Sequence, residues 1–133
     1  MKSWPMIEIV LPGVKLSVPM ARRCVGEILA VAEHQDVDDV RLVVSELVGN
    51  AVVHTASGRP GGVVMVGIAE VDAATVYIEV VDEGAVTVPQ VDTPGMDECR
   101  GRGLWLVEQF ATEWGVRDGG LGRRVVWAEM STK

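Results

Sequence analysis

The chain is short of the residues on which several classes of protein depend. Only two cysteines, Cys24 and Cys99, occur among its 133 residues, and we interpret both as free thiols because no CxxC or Cys/His pattern accompanies them. No apolar run approaches the roughly 20 residues that span a bilayer. Glu8 interrupts the first apolar stretch before it could serve as a signal peptide. These absences predict a cytoplasmic protein that does not associate with a membrane.

Basic residues are also scarce. Twelve lysines and arginines stand against 19 aspartates and glutamates, which gives a net charge of −7. Binding to nucleic acid or to an anionic membrane relies on basic side chains, so this charge argues against both. No lysine lies between Lys15 and Lys133, and the chain therefore has no GxxxxGK[ST] phosphate-binding loop.

What the sequence does contain is sufficient for a folded core. Hydrophobic residues make up 48% of the chain, well above the range of disordered proteins. A chain of this length buries about two thirds of its unfolded surface. No repeat, low-complexity tract or linker interrupts it, so we expect one domain over residues 1–133.

Hydrophobic periodicity and turn residues predict eight elements. The predicted strands are 6–11, 63–71, 75–82, 114–118 and 123–130. The predicted helices are 18–34 with Ser17 as N-cap, 37–55 with Asp36 as N-cap, and 103–113. Consecutive hairpins with segregated helices indicate an α+β two-layer sandwich, with three helices on one face of a mostly antiparallel mixed sheet. The remaining long segment, 83–100, is a loop of the kind that is often functional.

The second predicted helix carries a polar stripe beside its apolar face. At about 100° per residue, Glu46, Asn50 and His54 lie one turn apart and border the core direction instead of opposing it. Such groups are costly to bury without partners. The stripe is therefore either the solvent-exposed edge of the helix, where water satisfies its polar groups, or part of a binding site.

Asp82 is a second candidate. It shares its strand parity with the apolar residues of 75–82, so we expect its side chain to point towards the helices. An acid on the core face at a strand end is a site candidate. The alternative is a local Asx-turn acceptor that begins the loop through Glu83 and Gly84.

A third signal is the run Arg100-Gly101-Arg102-Gly103-Leu104, which leads into the third predicted helix. Glycines allow close backbone approach, and the free N–H groups at a helix start favour an anion such as phosphate. The two arginines suit phosphate as well. Ordinary exposed arginines near a helix start would produce the same pattern.

These three segments, in this order, resemble the GHKL family of ATP-binding domains, and within it the bacterial anti-sigma-factor serine/threonine kinases. The stretch from Glu46 to His54 is similar to the N-box, Asp82-Glu83-Gly84 to the first glycine box, and Gly101-Arg102-Gly103-Leu104 to the second. One departure is Ala85, which stands where the family has a further glycine. The resemblance covers essentially the whole chain and implies the Bergerat-type ATP-binding fold.

The resemblance implies a role for each matched residue. Asn50 would ligate a Mg²⁺ ion that bridges the phosphates of ATP, and Glu46 would be the general base on the attacking hydroxyl. Asp82 would accept a hydrogen bond from the adenine amino group, and Gly84 would let the base approach closely. Residues 83–100 would form a lid. The phosphates would be held by Arg100, Gly101, Arg102, Gly103 and Leu104.

The function that the resemblance implies is that of a Mg·ATP-dependent protein serine/threonine kinase. Such a protein would sequester a sigma factor and phosphorylate an anti-anti-sigma antagonist. A homodimer is also implied, through an open sheet face that includes Tyr77 and Val81. The alternatives are a catalytically weak or inactive GHKL-fold binding module, which Ala85 favours, and an unrelated α+β domain with a coincidental polar stripe.

Overall fold

The computed structural model describes residues 5–84 and 104–133. In this part of the chain, helices cover one face of a five-stranded sheet. The strand order is β1-β2-β3-β5-β4, and every neighbouring pair is antiparallel. The strands are β1 Met6–Pro12, β2 Val63–Asp72, β3 Thr75–Asp82, β4 Glu113–Gly120 and β5 Arg123–Ser131. The helices are α1 Ser17–Val31, α2 Asp38–His54 and α3 at 104–110 in the described part. The predicted α+β fold is confirmed.

The core lies between the helices and one face of the sheet. Along β3, alternate residues point into it, and all of them are at most 2% exposed: Val76, Ile78, Val80 and Asp82. The core residues that α2 contributes are Val40, Val43, Val44, Leu47, Val48 and Ala51. The predicted inward parity of Asp82 and the predicted core direction of α2 are therefore confirmed.

The two predicted N-caps are wrong in detail. The Ser17 hydroxyl donates to the carbonyl oxygen of Pro12, so it anchors the start of α1 to the end of β1. The Asp36 carboxylate accepts the N–H of Asp38 at 3.2 Å, but the residue at the N-cap position is Val37. Each of the two side chains hydrogen-bonds to a backbone group near the start of its helix, but neither residue stands at the N-cap position.

Two helices end earlier than predicted. α1 stops at Val31, and Glu33 then takes a positive φ of 66°, which no helix accommodates. The described part of α3 stops at residue 110, because the Thr112 N–H donates to the Glu129 carbonyl at 2.8 Å and joins the chain to the sheet. Among the described helices, none has both the length and the apolar character needed to cross a membrane.

Candidate functional site

The polar stripe of α2 lies along the border of the core. Glu46, Asn50 and His54 are all half-buried, as the helical wheel predicts. Within residues 5–84 and 104–133, no hydrogen-bond partner is found for these three side chains. Half-buried polar groups of this kind are available to a ligand that brings its own hydrogen-bonding atoms.

The Asp82 carboxylate lies at the end of β3 and is only 3% exposed. Its Oδ1 accepts the N–H of Gly84 at 2.8 Å, which is the Asx turn considered above as the alternative to a binding role. Its Oδ2 accepts from Nε and Nη2 of Arg124 at 3.1 and 3.0 Å. The buried negative charge is therefore balanced by a guanidinium and a backbone amide. The turn and a binding role are compatible, because the turn uses only part of the carboxylate's capacity.

Gly84 follows in a conformation that other residues rarely adopt, with φ at +83°. A Cβ built there would lie 2.1 Å from the carbonyl oxygen of Gly122. The chain's own backbone therefore requires glycine at this position, because the turn between β4 and β5 packs directly against it. Close approach by a base, the reason expected from the resemblance, stays a prediction.

Hydrogen bonds fasten this segment to a short 3₁₀ helix, Ala56–Gly58, which follows α2. The Glu83 N–H donates to Oγ of the buried Ser57 at 3.0 Å, and the Ala56 N–H donates to the Gly84 carbonyl at 2.8 Å. The Glu83 side chain in turn accepts the N–H of Val63 at 2.8 Å. The end of β3 is thereby held at a fixed position relative to the end of α2.

Sequence reasoning missed two residues of this site, Ser57 and Arg124. Ser57 stands in a glycine-rich turn, where a buried serine and an exposed one have the same sequence signature. The inward direction of Arg124 could have been predicted from the alternation of β5, because Arg124 lies on the same face of the strand as the buried Val126 and Ala128. An arginine on the core face of a strand calls for an acidic partner, and the register places it opposite Asp82.

The predicted phosphate segment is only partly covered by the structure. Leu104 is half-buried at the first described position of α3. The residues that lie outside the described part are Ala85, Arg100, Gly101, Arg102 and Gly103, together with most of the predicted lid at 83–100. The structure thus brings together the ends of α2 and β3, and the phosphate contacts stay predictions.

The donor set fits an adenine nucleotide with a magnesium ion. Mg²⁺ is usually held by one or two protein oxygens together with phosphate oxygens and water. Asn50 offers one such oxygen. No group of three or more His, Cys, Asp or Glu residues able to hold a metal is found in the described part of the chain. A magnesium ion carried in with a triphosphate suits these residues better than one bound by the protein alone.

The chain is similar to known proteins in sequence and in fold. The sequence model of a family described as "Histidine kinase-like ATPase domain" matches residues 14–128. No curated protein matches the sequence. Solved structures that match include a crystal structure of the RsbU and RsbW domains of Rv1364c from Mycobacterium tuberculosis, at 23% identity and a TM-score of 0.67. That likeness covers 96% of this chain but 32% of the other, so the chain spans about a third of its length and shares its fold.

Proposed function

The chain belongs to the histidine kinase-like ATPase domain family, and on this premise we propose that it binds Mg·ATP between α2 and the end of β3. One observation carries the proposal: α2 presents half-buried polar side chains without hydrogen-bond partners in the described structure, and the residues that follow α2 are hydrogen-bonded to the end of β3, where the carboxylate of Asp82 is buried. Asn50 would supply an amide oxygen to Mg²⁺. Asp82 would accept the adenine amino group.

The proposed activity is transfer of the γ-phosphoryl group to a serine or threonine hydroxyl of a protein. Glu46 lies one turn before Asn50 on the same stripe. There it would accept the proton of the substrate hydroxyl as the hydroxyl oxygen attacks the γ-phosphorus and ADP leaves. Bound Mg²⁺ would neutralise charge on the phosphates. Residues 100–104 would hold the phosphates at the start of α3.

The proposed partners are a sigma factor, which the protein would sequester, and an anti-anti-sigma antagonist, which it would phosphorylate. The shared fold with the RsbW-containing structure supports a regulatory role of this kind. The net charge of −7 suits a partner with a basic surface. We further propose one domain over residues 1–133 with a lid at 83–100, a cytoplasmic location and homodimer formation. The alternative is a binding module without turnover, which Ala85 favours.

The nucleotide proposal is tested by thermal unfolding with and without Mg·ATP. A ligand at 100 times its Kd stabilises a protein by about 2.7 kcal/mol, so a clear rise in Tm is expected. Asn50→Ala should remove the part of this rise that depends on Mg²⁺. Gln35→Ala, which changes an exposed amide outside α2, should keep the full rise. If millimolar Mg·ATP leaves the wild-type Tm unchanged, the proposal is wrong.

The kinase proposal is tested by transfer of label from γ-labelled ATP to a candidate antagonist. Glu46→Gln should lower the rate by about 10²- to 10⁴-fold, because it removes a general base, while the rise in Tm with Mg·ATP persists. Glu27→Gln, on the exposed surface of α1, should transfer label at the wild-type rate. Nucleotide binding without transfer by the wild-type protein would favour the binding module.

A further inference from the structure

Arg124 controls how many hydrogen bonds the Asp82 carboxylate can still accept. We infer that Arg124 is a positioning residue that makes the site select adenine over guanine. This inference rests on the proposed nucleotide site and adds to it a residue outside the three motifs. It follows from the contacts of Asp82, from the register of β3 with β5, and from the hydrogen-bonding edges of the two purines.

The Asp82 carboxylate has about four acceptor positions, two on each oxygen. On Oδ1, the N–H of Gly84 occupies one of them at 2.8 Å. On Oδ2, Nε and Nη2 of Arg124 occupy both, at 3.1 and 3.0 Å. No other donor among residues 5–84 and 104–133 is hydrogen-bonded to the carboxylate, so one acceptor position on Oδ1 is left for a ligand.

The register holds the guanidinium in this place. Arg124 lies directly opposite Asp82 on the neighbouring strand, on the same face of the sheet. Cross-strand neighbours have Cβ atoms about 5 Å apart, which lets the planar fork of an arginine reach the carboxylate. The other cross-strand neighbour of Arg124 is Asp118, whose carboxylate accepts the N–H of Gly120. The Arg124 side chain is 37% exposed, so the ion pair lies at the boundary between core and solvent.

The two purines make different demands on such a carboxylate. Adenine presents one amino group beside the acceptor N1, and a single acceptor position satisfies it. Guanine presents two adjacent donors, N1–H and the 2-amino group, which need both oxygens of a carboxylate. While Arg124 occupies Oδ2, one guanine donor is left unpaired in a buried site, which corresponds to binding about 10- to 100-fold weaker.

The test measures the Kd of ATP and of GTP, each with Mg²⁺, by titration calorimetry on the full chain. In Arg124→Met both positions on Oδ2 become free, so the ratio of the GTP Kd to the ATP Kd should fall by about tenfold or more. Arg124→Lys keeps a cation against Oδ2 and should retain most of the wild-type ratio. Arg123→Met is the matched control, since it removes the same charge from the adjacent, exposed position.

The outcomes separate this inference from the proposed function. An unchanged ratio in Arg124→Met, with ATP still bound, would make the ion pair purely structural and overturn the inference alone. A ratio that rises would mean that the guanidinium contacts guanine itself, which also overturns it. Absence of ATP and GTP binding by the wild-type protein overturns the proposed function and the inference together. If Arg124→Met does not fold, the ratio of the two Kd values is measured in Arg124→Gln, which frees one position on Oδ2. A fall in that ratio supports the inference, and an unchanged ratio overturns it.

Discussion

At the scale of single residues, β3 shows how this fold buries acids. Asp82 and Glu79 lie on opposite faces of the strand, and both are almost fully buried. Each is paired with an arginine from another strand, Asp82 with Arg124 and Glu79 with Arg117. The alternation of β3 is enough to predict which face each acid occupies. The arginines are 42 and 38 residues away along the chain, so no local pattern identifies them as partners.

Gly84 provides a test of the contact between the first glycine box and the β4–β5 turn. Gly84→Ala should destabilise the protein strongly, because it combines a positive φ with a Cβ 2.1 Å from the Gly122 carbonyl. Gly61 has the same φ of +83°, but no atom of the described residues lies within 4 Å of its Cβ position. Gly61→Ala should therefore cost only the strain of the left-handed conformation, about 1–2 kcal/mol. The free energy of unfolding in urea measures both.

The difference between the two variants isolates the backbone contact. Gly84→Ala should lose clearly more stability than Gly61→Ala. Equal losses would mean that the turn moves away freely and that Gly84 does not fix the end of β3.

Tyr77 reports the electrostatics of the sheet face that carries Glu79. Burial raises the pKa of its phenol above the ordinary value of about 10, Arg117 opposes this by donating to the hydroxyl, and the Glu79 carboxylate adds to the rise. A raised folded-state pKa means that the protonated phenol stabilises the fold. Its contribution is therefore complete below about pH 10 and is lost as the pH rises through the folded-state pKa.

Because Tyr77 is the chain's one tyrosine, its phenolate absorbance can be titrated without interference from another tyrosine. The midpoint in the folded protein should lie above that of the urea-unfolded chain. Arg117→Met should move it higher still, whereas Arg123→Met should leave it unchanged. A folded midpoint at or below the unfolded one would contradict the assignment.

At the scale of elements, the residue after β5 joins several parts of the fold. The Thr132 hydroxyl is hydrogen-bonded to Nδ1 of the buried His34, whose Nε2 contacts the Glu70 carboxylate at 2.7 Å. The Thr132 carbonyl accepts the N–H of Asp36 at 3.0 Å, and its N–H donates to the Ala74 carbonyl at 2.8 Å. The C-terminal end thereby fastens the connection between α1 and α2 to the β2–β3 hairpin.

Thr132→Val tests this junction, because it keeps the shape of the side chain and removes its hydroxyl. A buried ring nitrogen of His34 would lose its partner, so the free energy of unfolding should fall by about 1–3 kcal/mol. The urea midpoint should drop with an unchanged m-value. Ser131→Ala changes an exposed hydroxyl next to it and should stay within about 0.5 kcal/mol of the wild type. Equal effects of the two variants would show that the hydroxyl of Thr132 does not hold the junction.

The sequence predicts the bounds of an element well where hydrophobic periodicity determines them. It predicts them less well where a tertiary contact ends the element. β3 has the predicted bounds, and α2 differs from its prediction by one residue at each end. α3 was predicted three residues too long at its C-terminal end, because the hydrogen bond from Thr112 to the sheet replaces another helical turn. Helical periodicity continues through residues 110 and 111, so only the sheet contact marks the end.

At the scale of the whole molecule, the two faces of the sheet are covered by different means and to different extents. The helices cover one face and form the core with it. On the other face, Tyr77 stacks on Trp127 with ring centroids 6.0 Å apart, and Val81 is 8% exposed. Side chains of β3 and β5 therefore cover one another in the middle of that face. Towards the edge strand β1 the same face is more open, because Met6 and Val10 are 36% and 62% exposed there. A homodimer through this face stays a prediction.

The strand order explains where the candidate site lies. β3 is the central strand, flanked by β2 and β5, and α2 packs on β2 and β3. The end of a central strand under a helix is where a carboxylate is most deeply buried and most needs partners. The family match at residues 14–128 confirms the identity that the N-box and glycine boxes predicted.

The sequence by itself determined the α+β class, the family, the polar stripe of α2 and the inward direction of Asp82. These are read from local periods of 3.6 and 2 residues and from short motifs. Only the tertiary structure decided that Arg124 occupies one oxygen of Asp82, that Ser57 anchors Glu83 and that Gly122 excludes a side chain at Gly84. The first two contacts join residues 42 and 26 positions apart. Strand pairing and a closed turn create such contacts, and no period in the chain encodes which residues will meet.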